Sequence, residues 1–418
     1  MIKVNSEIGQ LKRIIVHSPD DGIEQVTPDK AVEYLYEDIV FLDKMKKEHD
    51  VFRKVLEAFV GANNVLDIQD LVEEICQIEK VKVEIVKTVC EFENKPALEA
   101  RLMSFSAKNL AYTLITGIPK GAKKPVLSPI SNFIFCRDIG VVINNHVLVA
   151  QANKRARCRE SILSWFVYHH SSVFAGIVEH NRLIQLSNDK DELIENLSNT
   201  FFNELSIEGG DVMTFGEGHV FIGVSERTTK YAFEKAKDII FKKGVVDDVT
   251  MVEIPRERYC MHLDTIFTRI DENVCVVFAP LILNDNKLKV KRFHKGKEKA
   301  VVYKSLKDLL LEIKPNMQFI ECGGGKTPHA EREQWTDGCN LFAIKPGVAV
   351  TYERNKYTTK AIEKAGYKVY KAEILLKKFK TGELNAESLE NTLILIPSNE
   401  LSRARGGTHC LTFPIWRE

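Results

Sequence analysis

Two stretches of the chain repeat one pattern, and that repeat limits the folds open to it more than any other feature. His219-Val-Phe-Ile-Gly-Val-Ser-Glu-Arg227 leads into Thr-Thr-Lys-Tyr-Ala-Phe-Glu-Lys-Ala236. Gly347-Val-Ala-Val-Thr-Tyr-Glu-Arg354 leads in the same way into Tyr357-Thr-Thr-Lys-Ala-Ile-Glu-Lys-Ala365. Each reads as an apolar strand, a polar junction and a helix. A third copy, Gly140 to Glu160, runs through His-Val-Leu-Val-Ala150 into Arg-Ala-Arg-Cys-Arg-Glu160. Repeated strand–helix units pack as modules around a shared centre, with their turns gathered at one end. The alternative is a set of unrelated strand–helix junctions with similar caps, and the repeat alone does not give the number of modules.

The first quarter of the chain has a different texture. Leu11-Lys-Arg-Ile-Ile-Val-His17 reads as a strand that stops at Ser18-Pro19. Thr27-Pro28 is a helix N-cap followed by proline at the first helical position. Beyond it Leu35, Ile39, Leu42, Met45, Phe52, Leu56 and Phe59 recur at helical spacing, and helical patterns resume after Gly61-Ala-Asn-Asn64. No convincing strand falls between about 28 and 117. We therefore expect a helical domain at 28–118, inserted into an α/β domain formed by 1–27 and 119–418.

Composition removes several function classes. With 59 Lys and Arg against 58 Asp and Glu, no nucleic-acid surface is expected. No apolar run approaches the ~18 residues of a membrane span, and the start lacks a basic-then-apolar secretory signal. The nine cysteines are odd in number and scattered, without a C-x-x-C pair. That argues against a disulfide framework and a zinc site, and for a reducing cytoplasm.

Five polar segments interrupt otherwise apolar strands. In Ser131-Asn-Phe-Ile-Phe-Cys-Arg-Asp138, strict alternation would put Phe135 and Asp138 on opposite faces, so a joint role needs the chain to bend between them. Glu208-Gly-Gly-Asp211 places two carboxylates around a glycine pair, suited equally to a cationic ligand or a polar turn. In Tyr259-Cys-Met-His-Leu-Asp-Thr-Ile-Phe267, read as a strand, His262 and Asp264 share one face, as a general acid/base pair or as a buried structural pair. Arg332-Glu-Gln-Trp-Thr-Asp-Gly-Cys-Asn340 is a site rim or a turn. In Arg403-Ala-Arg-Gly-Gly-Thr-His-Cys410, arginines, a histidine and accessible backbone surround the one cysteine whose neighbourhood suits a nucleophile.

As an ordered set, Asn132-x-x-Phe135-x-Arg-Asp138, Glu208-Gly-Gly-Asp211, His262-Leu-Asp264 and Arg405-Gly-Gly-x-His409-Cys410 resemble the arginine deiminases in order and spacing. Arg332-Glu-Gln-Trp-x-Asp-Gly-x-Asn340 and Gly9-x-Leu-x-x-Ile-x-Val-His17 extend the likeness over residues 5 to 415. The resemblance implies a pentein α/β-propeller of ββαβ modules with pseudo-fivefold symmetry, plus an inserted α-helical bundle. It implies hydrolysis of L-arginine to L-citrulline and ammonia, with Cys410 as nucleophile and His262 as general acid/base. Asp138 and Asp264 would grip the guanidinium, and Glu208 would lie between it and the histidine. Asn132, Arg157 and Arg227 would hold the α-carboxylate end, and Phe135 would pack on the substrate. Arg405 and His409 would belong to a mobile loop. No metal or organic cofactor is implied. A homo-oligomer, dimer or tetramer, is the general expectation. An amidinotransferase, which passes the amidino group to an amine, is the rival reading within the same chemistry. The chain departs from the family pattern at Ser18, where arginine is usual, at Tyr36-Glu37, and at Cys136, where threonine is usual.

Overall fold

The computed structural model describes residues 1–199 and 204–418. Five separate sheets carry the α/β part, and among the described residues none closes into a barrel. Each sheet pairs two strands antiparallel and adds a third, parallel to the second, after a helix. A parallel return needs a long crossover, and a helix supplies it.

The first sheet pairs Phe413–Arg417 with Leu11–Val16, passes through the helix Leu42–Val60 and returns as Val65–Asp67. The second runs Gly140–Ile143, His146–Val149, helix Arg155–His170 and Leu183–Ile184. The third runs Val212–Gly216, His219–Val224, helix Lys230–Lys243 and Asp248–Glu253, and is widened by Lys289–His294 and Val301–Tyr303. The fourth uses Phe267–Asp271, Val274–Val277, helix Leu306–Ile313 and Gln318–Glu321. The fifth uses Phe342–Lys345, Val348–Tyr352, helix Lys356–Lys364 and Thr392–Ile396, edged by Lys368–Lys371. In the third and fifth sheets the second strand is buried on both faces, which is why it reads as an unbroken apolar run rather than an alternation.

The sequence repeat locates these strand–helix steps, but its Thr-Thr-Lys element is not structurally equivalent in the two copies. Thr229 caps its helix, its Oγ1 accepting the Ala232 N–H at 3.1 Å. In the later copy the helix starts at Lys356, so Thr358 and Thr359 lie inside it. There the Thr358 hydroxyl donates to Glu333.

Residues 28–117 are not strand-free, contrary to the sequence reading. Val65–Asp67 extends the first sheet, too short a strand to leave a periodic signal. Ile68–Cys76, Glu79–Phe92, Glu99–Met103 and Ala107–Thr116 form helices. Their apolar faces, with Leu71, Ile75, Val86 and Leu110, share one core with Cys158, Ile162 and Phe166 of the second unit's helix. The helix Leu42–Val60 instead joins the core of the first and fifth sheets through Met45, Phe52 and Leu56. The departures from the family pattern are absorbed locally. Ser18 hydrogen-bonds Asp67 at 3.0 Å through its backbone N–H and its hydroxyl. The Tyr36 hydroxyl donates to the Ser131 carbonyl at 3.0 Å, Glu37 pairs with Arg258, and the Cys136 thiol donates to the Phe133 carbonyl at 3.5 Å. No helix among the described residues is long and apolar enough to cross a membrane.

Candidate active site

The site is made from the turns that precede the first strand of each sheet. Two segments read as strands in the sequence are turns in the structure. Ser131–Ile134 and Cys136–Ile139 are successive single-turn helices joined at Phe135. Arg258–Cys260 and Leu263–Thr265 are two more, with His262 extended between them. Polar side chains whose partners lie in neighbouring units replace the ladder bonds of a strand here. The bend needed for Phe135 and Asp138 to face one cavity is therefore present.

Hydrogen bonds tie the five turns together in cyclic order. The Gly210 N–H donates to Asp138 Oδ1 at 3.1 Å, and the Leu263 N–H donates to Asp211 Oδ1 at 2.9 Å. Asn340 Nδ2 donates to the Asp264 carbonyl at 3.1 Å, and the Cys410 N–H donates to Asn340 Oδ1 at 3.0 Å. The Arg137 N–H donates to the Cys410 carbonyl at 3.1 Å, which links the turn of Cys410 back to the first of the set and completes the cycle. Glycine is required where these turns touch. A Cβ on Gly209 would stand 1.9 Å from the Arg137 carbonyl oxygen, and one on Gly210 would stand 2.7 Å from His262 Nδ1.

Cys410 is buried, with its thiol 3.5 Å from Asp264 Oδ2. His262 Nε2 lies 2.9 Å from Glu208 Oε2, and its Nδ1 lies 3.8 Å from Asp138 Oδ1. Burial opposes a charge on His262, but Asp138, the hydrogen bond to Glu208 and nearby Asp211 outweigh it and raise its pKa to about 10. Burial likewise opposes the Glu208 carboxylate, yet Arg227, His262 and Arg157 hold it well below the usual range. Burial pushes the Cys410 thiol far up, and Asp264, Asp138 and Asp337 push it further. Asp264 Oδ1 is buried with no hydrogen-bond partner among the described residues.

Asn132, Phe135, Asp138, Arg157, Arg227, His262, Arg405 and Cys410 line one cavity of about 30 Å³, room for roughly one water. Arg157 fills part of the space. Its guanidinium bonds Asp138 Oδ2 and pairs with Glu160 at 2.8 Å, so it sits on a carboxylate assigned to the substrate. Arg227 Nη1 lies 3.7 Å from Glu208. Arg405 has a left-handed backbone, and its guanidinium lies 3.5 Å over the Trp335 ring. His409 does not line the cavity. Its ring stands behind Asp264, with Nδ1 2.9 Å from Asp264 Oδ2 and Nε2 3.2 Å from Glu7 Oε2. Asp138, Glu208 and His262 offer ligand atoms within 4.8 Å of one another, a spacing a cation could use. The guanidinium groups of Arg157 and Arg227 already neutralise Glu208, which disfavours a further positive charge there.

Three residues of the site lie outside the sequence assignment. Glu7, in an N-terminal segment without any pattern, pairs with both His409 and Arg137. Asp337 lines the cavity, and burial with Asp264 nearby pushes it up to about 7. Asn340 joins the fourth, fifth and first units. The last two stand in the polar segment 332–340, where the sequence left rim and turn equally open.

The architecture is a mixed α/β fold of the pentein class. An arginine dihydrolase N-terminal domain, ArgZ from cyanobacteria, shares it with a TM-score of 0.52 at 13% identity over 98% of both chains. The amidinotransferase SxtG of Microseira wollei shares it with a TM-score of 0.52 at 11% identity, over 100% of this chain and 97% of that one. Residues 118–417 match the Arginine deiminase family. Relatives named arginine deiminase, from Borreliella afzelii at 31% identity and Listeria monocytogenes serotype 4a at 30%, align with 100% of this chain and 98% of their own. The chain belongs to the arginine deiminase family.

Proposed function

We propose that the protein hydrolyses L-arginine to L-citrulline and ammonia through a covalent intermediate on Cys410. The observation that carries this reading is the meeting of a thiol, a charged histidine and several carboxylates in one buried pocket of a chain from this family.

A guanidinium is planar, with its charge spread over three nitrogens. Asp138 and Asp264 receive its N–H groups and fix the plane of attack, and Asp264 Oδ1 has the lone pairs to do so. Two guanidinium groups repel on one carboxylate, so the incoming one displaces Arg157 from Asp138. Arg157 then turns, with Arg227 and Asn132, to the substrate's α-carboxylate. Phe135 flanks the chain of the substrate, and the segment around Arg405 gives way to admit it.

The same arrival activates the thiol. Asp264 and Asp138 hold the proton on Cys410 until a positive charge neutralises them, which favours loss of the thiol proton to solvent and weakens His262's hold on its own proton. The thiolate attacks the guanidinium carbon. His262 protonates one nitrogen, the C–N bond breaks, and ammonia leaves. The remaining amidino-thioether keeps the rest of the arginine. Neutral His262 takes a proton from water, hydroxide adds to the same carbon, and the C–S bond breaks while the added hydroxyl loses its proton to solvent, where ammonia takes it up, giving citrulline and the thiolate. Glu208 stabilises the imidazolium at both ends of the cycle.

The cyclic hydrogen bonding of the five turns supports a propeller of five units about a pseudo-fivefold axis. The packing of the helices between 68 and 116 on one another, in a core they share with the second unit's helix, supports an inserted helical unit, and we propose to narrow the insertion from 28–118 to that part. The nine free, buried thiols support a reducing cytoplasm, and a homo-oligomer is retained as a proposal for size-exclusion measurement. Incubation with L-arginine should give citrulline and ammonia in equal amounts, and adding glycine should not change the products. Release of ornithine together with an amidinated glycine would replace hydrolysis by transfer.

A further inference from the structure

We propose that Asn340 is a positioning residue for the proposed arginine hydrolysis, holding the backbone of Cys410 against Asp264 without placing a charge beside the thiol. The inference rests on the deiminase reading for its kinetics but not for its chemistry at the thiol.

Asn340 is fully enclosed, and every polar atom of its side chain is engaged with a site segment. Its Oδ1 accepts the N–H of His409 at 3.1 Å and of Cys410 at 3.0 Å. Its Nδ2 donates to the Asp264 carbonyl at 3.1 Å. Its own carbonyl accepts the Thr408 hydroxyl at 3.2 Å. One side chain thus sets the spacing between the nucleophile's turn and the turn that carries Asp264. The fit is tight on the loop side as well, since a Cβ on Gly407 would stand 2.5 Å from Asn340 Oδ1.

Position also explains the residue type. Asp138 and Asp211 occupy comparable places in their turns, each accepting a backbone N–H from the next unit. A carboxylate at 340 could accept the same two N–H groups, but it could not donate to Asp264. It would also add negative charge beside a thiol that already faces Asp264, Asp138 and Asp337. An amide satisfies both neighbours at once and is neutral.

Asn340→Asp and Asn340→Ala test the proposal in the full chain. Alkylation of Cys410 by iodoacetamide is followed against pH by mass spectrometry of its peptide, alongside kcat, KM and thermal melting. In Asn340→Asp the alkylation profile should move to higher pH by about one pH unit, with kcat reduced near neutrality and recovering as pH rises. In Asn340→Ala kcat should fall by about 100-fold at every pH, with KM changed far less. Asn340→Asp is isosteric and decides the matter if the alanine variant does not fold. An alkylation profile unchanged in Asn340→Asp, or activity lost only in proportion to folded protein, would overturn the proposal. Failure of the unaltered protein to act on arginine would defeat the deiminase reading, while the alkylation profiles would still decide the role of Asn340.

Discussion

At the scale of single residues, the site is a balance of charges around one thiol. Cys410 is held protonated first by burial and next by Asp264, so removing that carboxylate should favour the thiolate while destroying the proposed substrate clamp. Asp264→Asn is expected to shift Cys410 alkylation to lower pH by about one pH unit and to cut citrulline formation by at least about 100-fold. Parallel alkylation and turnover assays check both directions, and a shift to higher pH would contradict the assignment. Much of this set was legible in the sequence, because Asp138, Glu208, His262, Asp264 and Cys410 interrupt apolar runs with groups that are costly to bury alone. Glu7 was not legible. It is an ordinary acid in an unpatterned segment, and only the fold brings it to His409 and Arg137. His409 was legible as a neighbour of the nucleophile, but its place behind Asp264 depends on which way the loop turns.

At the scale of elements, the turns carry the chemistry and the strands carry the turns. Gly209 and Gly210 lie where two turns meet, and the consequences of a methyl group differ between them. On Gly209 it meets fixed backbone, so Gly209→Ala should cost several kcal/mol, at or above the ~1–3 kcal/mol usual for overpacking, measured by urea unfolding. On Gly210 it meets the His262 ring and Asp138, so Gly210→Ala should leave a folded protein with little activity. An active Gly210→Ala enzyme would remove the proposed contact between this turn and the histidine. The strand–helix repeat made the crossover units readable, because buried apolar runs followed by capped helices have a strong local signal. The turns at 131–139 and 258–265 read as strands for a related reason. Residues 131–139 and 262–265 are as buried as strand residues, and what bends them is hydrogen bonding to other units, which no local pattern records.

At the scale of the whole molecule, the helices between 68 and 116 are held to the α/β part by a shared apolar core. Phe166 is fully buried in it, and Phe166→Ala should destabilise the protein by about 3–5 kcal/mol in urea unfolding without changing the pH profile of the remaining activity. Two buried histidines also tie stability to pH. His17, paired with Asp67 and Asp20, and His262 are both raised from 6.5 to about 10 despite burial. A raised histidine contributes its full stability below the unfolded value and loses it as pH climbs to the folded one. Melting temperature should therefore fall between pH 6.5 and 10, and His17→Gln should flatten that fall. A melting temperature that rises across the window would contradict the charged-histidine assignment. Helices between 68 and 116 could be read from the sequence, but not the membership of Leu42–Val60 in the sheet core, since an amphipathic helix does not say which partner covers its apolar face.

The most direct test of the central claim is to trap the intermediate. The protein is mixed with L-arginine, quenched in acid within the first turnovers, digested, and the Cys410 peptide is weighed. The peptide should be heavier by arginine less one ammonia, in an adduct formed and lost in step with citrulline release, and Cys410→Ser should give no citrulline. Citrulline production by Cys410→Ser, or an adduct that carries only the amidino carbon and its nitrogens, would contradict the claim.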